Sequence, residues 1–159
     1  MILFVHTQWI TRSFVVLVMA LLGACSLSPD QALVVRQFHL RDTEPDSKKA
    51  PMVRGEQVYR LKGAVTLEQR EERLGDYYTV TWRALGAEPT RLVMDFQQSS
   101  SGAKVHCMSR DLPTKVSGGK VEFKVTGDTY RVGGRVLAWR IRLMQGSEVL
   151  SEKRSYLWR

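Results

Sequence analysis

The side chains able to do chemistry are few and widely spaced. Beyond residue 24 the chain has two imidazoles, His39 and His106, and two thiols, Cys25 and Cys107. A tetrahedral metal site needs three or four such ligands at close spacing. No His-x-x-x-His and no Cys-x-x-Cys is present, so the sequence predicts no metal centre and no cofactor. Asp42-Thr-Glu-Pro-Asp46 holds acids without the pattern of a calcium loop and reads as a solvated turn. Ser99-Ser100-Ser101 is a hydroxyl cluster with His106 five residues later. A serine nucleophile needs a base and an orienting group held against it. On a strand, His106 is expected to face the surface and Cys107 to point inward as a small apolar group. Glu71 and Glu72 are adjacent in a charged segment, with nothing apolar nearby to raise one pKa as paired-carboxylate hydrolysis requires. These groups form no coherent catalytic set, and the chain reads as a non-enzyme.

The charge distribution says more about partners. The chain has 24 Lys+Arg against 16 Asp+Glu. Residues 25–103 balance at 11 of each, whereas residues 104–159 hold 12 basic and 5 acidic side chains. Lys120, Lys124, Arg140 and Arg142 fall on the outward positions of two alternating segments. If those strands are neighbours, the four cations form a positive face for lipid head groups, acidic polysaccharide or an acidic protein surface. Nucleic acid is disfavoured by the compartment argued next, and no stacking-aromatic motif accompanies the cations. Tyr77, Tyr156 and Trp158 are candidate aromatics for stacking on a sugar.

Placement is written in the first 25 residues. Arg12 is the sole charge before residue 30, and Ser13 to Ala24 is uncharged. Twelve residues of helix rise about 18 Å, short of the roughly 30 Å of a bilayer's hydrocarbon core. A signal-peptide core explains this run better than a membrane span. It ends in Leu22-Gly23-Ala24-Cys25, which resembles the lipobox of bacterial lipoproteins: a Leu, two small residues and the Cys that becomes the mature N-terminus. The resemblance implies a signal peptide at 1–24, cleavage before Cys25, a diacylglyceryl group on its sulfur and acylation of its amine. Two or three acyl chains hold a protein at a membrane essentially permanently, where one holds marginally. By the same resemblance Ser26 favours the outer membrane in a Gram-negative cell. Cys107 is then the lone free thiol, so no disulfide within the mature chain is possible.

The elements that must position these groups are strands. Residues 25–31 read as a lipidated Cys and tether, and 32–159 as one domain with a real core. Tyr78, Val80 and Trp82 alternate with Thr79 and Thr81. Leu92, Met94 and Phe96 alternate with Val93 and Asp95, and Val121, Phe123 and Val125 with Lys120, Glu122 and Lys124. Leu137, Trp139, Ile141 and Leu143 alternate with Arg140 and Arg142. Leu33–Leu40, Val58–Val65 and Val149–Leu157 are less regular. This period of two marks half-buried antiparallel strands, about eight in all. Asp42 to Pro51 reads as an exposed loop. One short surface helix is expected at Thr66-Leu-Glu-Gln69, which has the form of a capping box, with Gly75 as its left-handed terminator. The expected fold is an all-β, single antiparallel sandwich preceded by the signal helix. The segment Gly75 to Trp82 resembles a core strand of an immunoglobulin-like or fibronectin-like domain, without the antibody disulfide. The whole chain is similar to small bacterial lipoproteins of that build, a group that lends no activity to carry over; the lipobox and the lack of a coherent catalytic set point to an interaction or structural accessory in the cell envelope.

Overall fold

The computed structural model describes residues 32–45, 47–83, 90–114 and 116–159. The expected signal peptide, Cys25 and the expected tether lie outside the described residues.

Among the described residues, seven strands form two antiparallel sheets packed face to face. The strands are β1 (Leu33–Leu40), β2 (Gly75–Arg83), β3 (Thr90–Gln98), β4 (His106–Asp111), β5 (Gly118–Thr126), β6 (Val136–Gln145) and β7 (Glu148–Arg154). One sheet has the order β1-β2-β5 and the other β4-β3-β6-β7. The alternation read from the sequence supplies the core. Tyr78, Val80 and Trp82 of β2 meet Leu92, Met94 and Phe96 of β3, Phe123 and Val125 of β5 and Ile141 and Leu143 of β6. The ring of Trp139 closes edge-on against Tyr78 at 5.5 Å. Buried aromatics of this size contribute much of a core's apolar area, which is how the domain holds without a disulfide.

Three predicted strands need correction. Val58–Val65 is not a strand. Its first part belongs to an α-helix, α1 (Pro51–Leu61), which leaves seven strands rather than eight. Pro51 opens that helix, where a missing N–H costs nothing. In β6, Leu137 faces solvent and Val136 the core. The register with β3 shifts between Gln97 and Gln98, so the chain changes face at this irregularity. The last strand ends at Arg154, short of Leu157.

The capping box forms as read. In α2 (Leu67–Glu71) Thr66 Oγ1 accepts from the Gln69 N–H at 3.3 Å, and Gln69 Oε1 accepts from the Thr66 N–H at 3.3 Å. Gly75 does not terminate it. It opens β2 at φ +145°, and a Cβ there would lie 2.0 Å from the Val125 carbonyl oxygen. A third helix, α3 (Gly127–Gly133), links β5 to β6 and was not foreseen from the glycines that bound it. Buried Gln98 fastens it, its side-chain amide donating to the carbonyls of Thr129 and Gly134 at 2.9 and 2.8 Å.

Candidate functional site

The four cations do not make one face. Lys120 and Lys124 lie on β5 in the three-stranded sheet, whereas Arg140 and Arg142 lie on β6 in the four-stranded one. Their side chains alternate with core residues, so each pair sits on the outside of its own sheet, with the core between them. The sequence shows that each pair points outward but not which strands are neighbours.

On the three-stranded side the outer surface carries α1. The fastening is Arg60, whose side chain is only 4% exposed. Its guanidinium lies 3.9 Å from the centroid of the Tyr77 ring and 5.7 Å from that of Phe38. It donates to Glu56 Oε1 at 2.6 Å and to Glu122 of β5. Leu61 adds a small apolar contact with Leu40 and Tyr77. Arg73 donates to the carbonyls of Arg60 and Lys62 at 3.1 and 2.5 Å, satisfying the free end of α1. Tyr77, proposed above for sugar stacking, is therefore buried. Burial also pushes its hydroxyl pKa above the ordinary tyrosine value.

Two grooves flank the Arg60–Glu122 pair. One, about 530 Å³, is lined by Glu56, Tyr59, Thr79 and Lys120. The other, about 420 Å³, is lined by Tyr59, Glu72, Arg73, Lys124 and Thr126. Lys124 shares Glu122 at 3.4 Å, so much of its charge is answered locally. The walls offer both signs of charge beside phenol and threonine hydroxyls. That is the chemistry of a polar, hydroxylated or weakly anionic ligand.

On the four-stranded side Asp95 organises the surface. Its carboxylate, 8% exposed, accepts from Arg140 at 2.9 Å and from Arg142 at 2.7 Å. Trp158 lies against Arg140, 5.0 Å from guanidinium to ring centroid. Two of the predicted cations thus share one internal counter-ion, and Trp158 covers one of them. Tyr156 remains fully exposed.

The lone thiol and its neighbour are the reverse of the expectation. Cys107 is exposed, because its register partner is Asp95 on the outer face of β3. His106 is opposite Phe96 and stacks on that ring at 5.3 Å, facing inward. Desolvation, and then hydrogen bonding to Asp95 and its negative charge, raise the thiol pKa of Cys107. Such a thiol is a poor nucleophile at neutral pH.

A further polar cluster was not visible in the sequence. Asp76 of β2 is completely buried; its Oδ2 accepts from the Val136 N–H at 2.9 Å and its Oδ1 has no partner. Its register partner is His39 of β1, and His39 Nε2 lies 2.8 Å from the Tyr130 hydroxyl of α3. Burial lowers the pKa of His39, with Asp76 partly opposing the shift. The cluster ties β1, β2, α3 and β6 together at one end of the sandwich. Only cross-strand register, which the sequence does not print, brings these residues into one place.

Among the described residues no group of three or more His, Cys, Asp and Glu could hold a metal ion. No described helix is long and apolar enough to cross a membrane. Comparison with family models, curated proteins and solved structures finds no match to this chain.

Proposed function

We propose that this protein is a lipid-anchored component of the cell envelope, a non-enzymatic β-sandwich that serves as an interaction or structural accessory. The observation that carries the reading is Leu22-Gly23-Ala24-Cys25 at the end of an uncharged run. Acylation of Cys25 would fix the domain at a bilayer, with Ser26 favouring the outer membrane of a Gram-negative cell. The strand order β1-β2-β5 opposite β4-β3-β6-β7 supports a fibronectin-like arrangement, with α1 and α2 inserted between the first two strands. That build presents surfaces rather than a deep pocket. The groups that might have carried nucleophilic chemistry are engaged elsewhere. His106 stacks on Phe96, His39 meets Tyr130, and Ser101 Oγ donates to the Gln98 carbonyl at 3.0 Å. Replacing Cys25 by Ser tests the placement. The wild-type chain should partition with membranes and carry acyl mass at its N-terminus. The variant should keep Met1 and lose the acyl mass. An unmodified Cys25 in the wild-type protein refutes the reading.

A second reading is favoured by the excess of basic side chains in residues 104–159. On it the domain binds anionic envelope polymer, a lipopolysaccharide or acidic glycan. Geometry concentrates this on Lys120 beside the α1 grooves, with Lys124 near it, since Arg140 and Arg142 share the buried Asp95 while Lys124 shares only the more exposed Glu122. Lys120→Glu with Lys124→Glu should abolish a salt-sensitive association that Arg140→Gln leaves largely intact. Equal loss in both variants would remove the groove as the site.

A further inference from the structure

Helix α1 is built the unusual way round. A surface helix ordinarily turns its apolar side inward and its charged side to water. Here the side against the sheet carries Gln57, Arg60 and Leu61, all buried. At 3.6 residues per turn the opposite side carries Pro51, Met52, Gly55, Val58 and Tyr59, with Lys62 at its C-terminal end. Met52 is 86% exposed, Tyr59 69% and Val58 53%. Val65 and Leu67, which follow the helix, are also exposed. Arg54 stands exposed beside this side, and Lys62 is exposed where the helix ends on it. The helix's one acid, Glu56, is held by Arg60. Apolar side chains concentrated on one exposed helix face, rimmed by cations, have the composition of an interfacial helix. Tyrosine is enriched at the same depth of a bilayer.

The connection to Cys25 selects the occupant. Cys25 precedes Ala32 by seven residues, a span of at most about 25 Å even when fully extended. β1 then begins at Leu33, and its outer face is the one α1 covers. Leu61 packs beside Leu40, at the far end of β1. Tyr59, in the second half of the helix, lines the grooves at both ends of the sheet, whereas Glu56 stands beside Thr79 and Lys120, whose pairings across β2 lead back to Arg36 and Val34. The N-terminal half of α1 thus leans toward the end of the sheet where the chain from Cys25 enters.

We propose that the outward side of α1, with Met52, Val58 and Tyr59 flanked by Arg54 and Lys62, is a second membrane attachment that lies in the head-group layer of an anionic bilayer. The inference rests on the reading of Cys25 as a lipid anchor. Alone, a helix this short with three apolar anchors binds a bilayer weakly. Tethering by the acyl chains turns that encounter into an intramolecular one, so weak docking is sufficient. Anionic lipid complements the basic rim, whereas a second copy of this basic chain would bring like charges together. Docking of this kind lays the three-stranded sheet toward the membrane and leaves the four-stranded sheet facing away from it.

The test uses the full-length lipidated protein, reconstituted into phosphatidylethanolamine vesicles with or without phosphatidylglycerol. In a Cys107→Ser background, a polarity-sensitive fluorophore is placed at Met52→Cys or, as a control on β7, at Val149→Cys. Both positions are exposed, so neither label requires the core to adjust. Position 52 should brighten several-fold and shift to the blue when phosphatidylglycerol is present, and lipid-borne spin labels should quench it. Position 149 should report water throughout. Adding Tyr59→Asp should reduce the brightening while flotation and the melting temperature stay unchanged. Protein that floats with the vesicles while position 52 remains as wet as position 149 overturns the docking and leaves the anchor standing. A change that follows protein density rather than phosphatidylglycerol identifies a second copy as the occupant and also overturns it. Failure to float at all removes anchor and docking together.

Discussion

Arg60 is the side chain on which the seating of α1 depends, and its removal has a calculable effect. Arg60→Ala deletes a charge-assisted hydrogen bond to Glu122, about 1.5–3 kcal/mol. It deletes the close contact with the Tyr77 ring, about 1–2 kcal/mol for a desolvated cation. The pair with Glu56 adds about 0.3–0.5 kcal/mol, a value set by that carboxylate's contact with solvent. The sum is about 4 kcal/mol, and among the other residues of α1 only Gln57 and Leu61 are buried. Most of the loss should appear as local opening of the helix, since the sandwich core does not contain Arg60. At 1.36 kcal/mol per tenfold, the opening equilibrium of α1 shifts by roughly three orders of magnitude. Hydrogen exchange followed by mass spectrometry reads this directly. Peptides covering 51–62 should lose their protection, while those covering 75–83 and 90–98 keep theirs. Arg60→Met retains the stem over Tyr77 and should cost about half as much. Combined with Glu122→Gln, Arg60→Ala should fall short of additivity by about 2 kcal/mol. If Arg60→Ala leaves the exchange of 51–62 unchanged, the reasoning that a buried cation seats this helix is wrong.

Three other substitutions probe separate parts of the molecule. Gly75→Ala should destabilise the domain by about 3 kcal/mol or more, because a Cβ at φ +145° meets the Val125 carbonyl and the backbone must shift; urea unfolding measures it. The folded-state pKa of His39 is depressed by burial. Below the ordinary histidine value, about 6.5, the unfolded chain therefore binds more protons than the folded one, and stability falls as pH is lowered through that window. His39→Gln should flatten the dependence of the urea midpoint on pH between about 7.5 and 5.5. Cys107 should react slowly with a thiol reagent at mildly alkaline pH despite its exposure, and Asp95→Asn should speed the reaction by removing a negative neighbour that holds the thiol protonated.

The parts of the fold legible in the sequence are those where side-chain period alone decides the outcome. Tyr78-x-Val80-x-Trp82 and Val121-x-Phe123-x-Val125 each bury one face and solvate the other, so their strands and inward faces could be read directly. Thr66 to Gln69 was legible because both halves of a capping box lie within four residues. Strand neighbours were not. Nothing in Lys120, Lys124, Arg140 or Arg142 states that β5 and β6 belong to different sheets, and the same gap hid the meeting of His39, Asp76 and Tyr130. Cys107 was misread because β4 is an edge strand whose inward residues, His106 and Met108, are only half-buried, so side-chain polarity does not mark its inner face.

The misreading of Val58–Val65 has a different origin. Periodicity locates a helix by the apolar stripe it turns toward a core, and α1 turns Gln57 and Arg60 there instead. Apart from Leu61, its most exposed apolar residues, Met52, Val58 and Tyr59, lie on the side away from the protein. A segment whose pattern contradicts its own seat is stabilised by something besides hydrophobic burial, here the Arg60 ion pairs and ring contact. Local and global preferences usually agree in a folded chain, and where they disagree a function is the ordinary reason. On the proposal that Cys25 is acylated, the disagreement has a physical reason: the surface that decides the pattern of α1 would be a bilayer rather than the core of the domain.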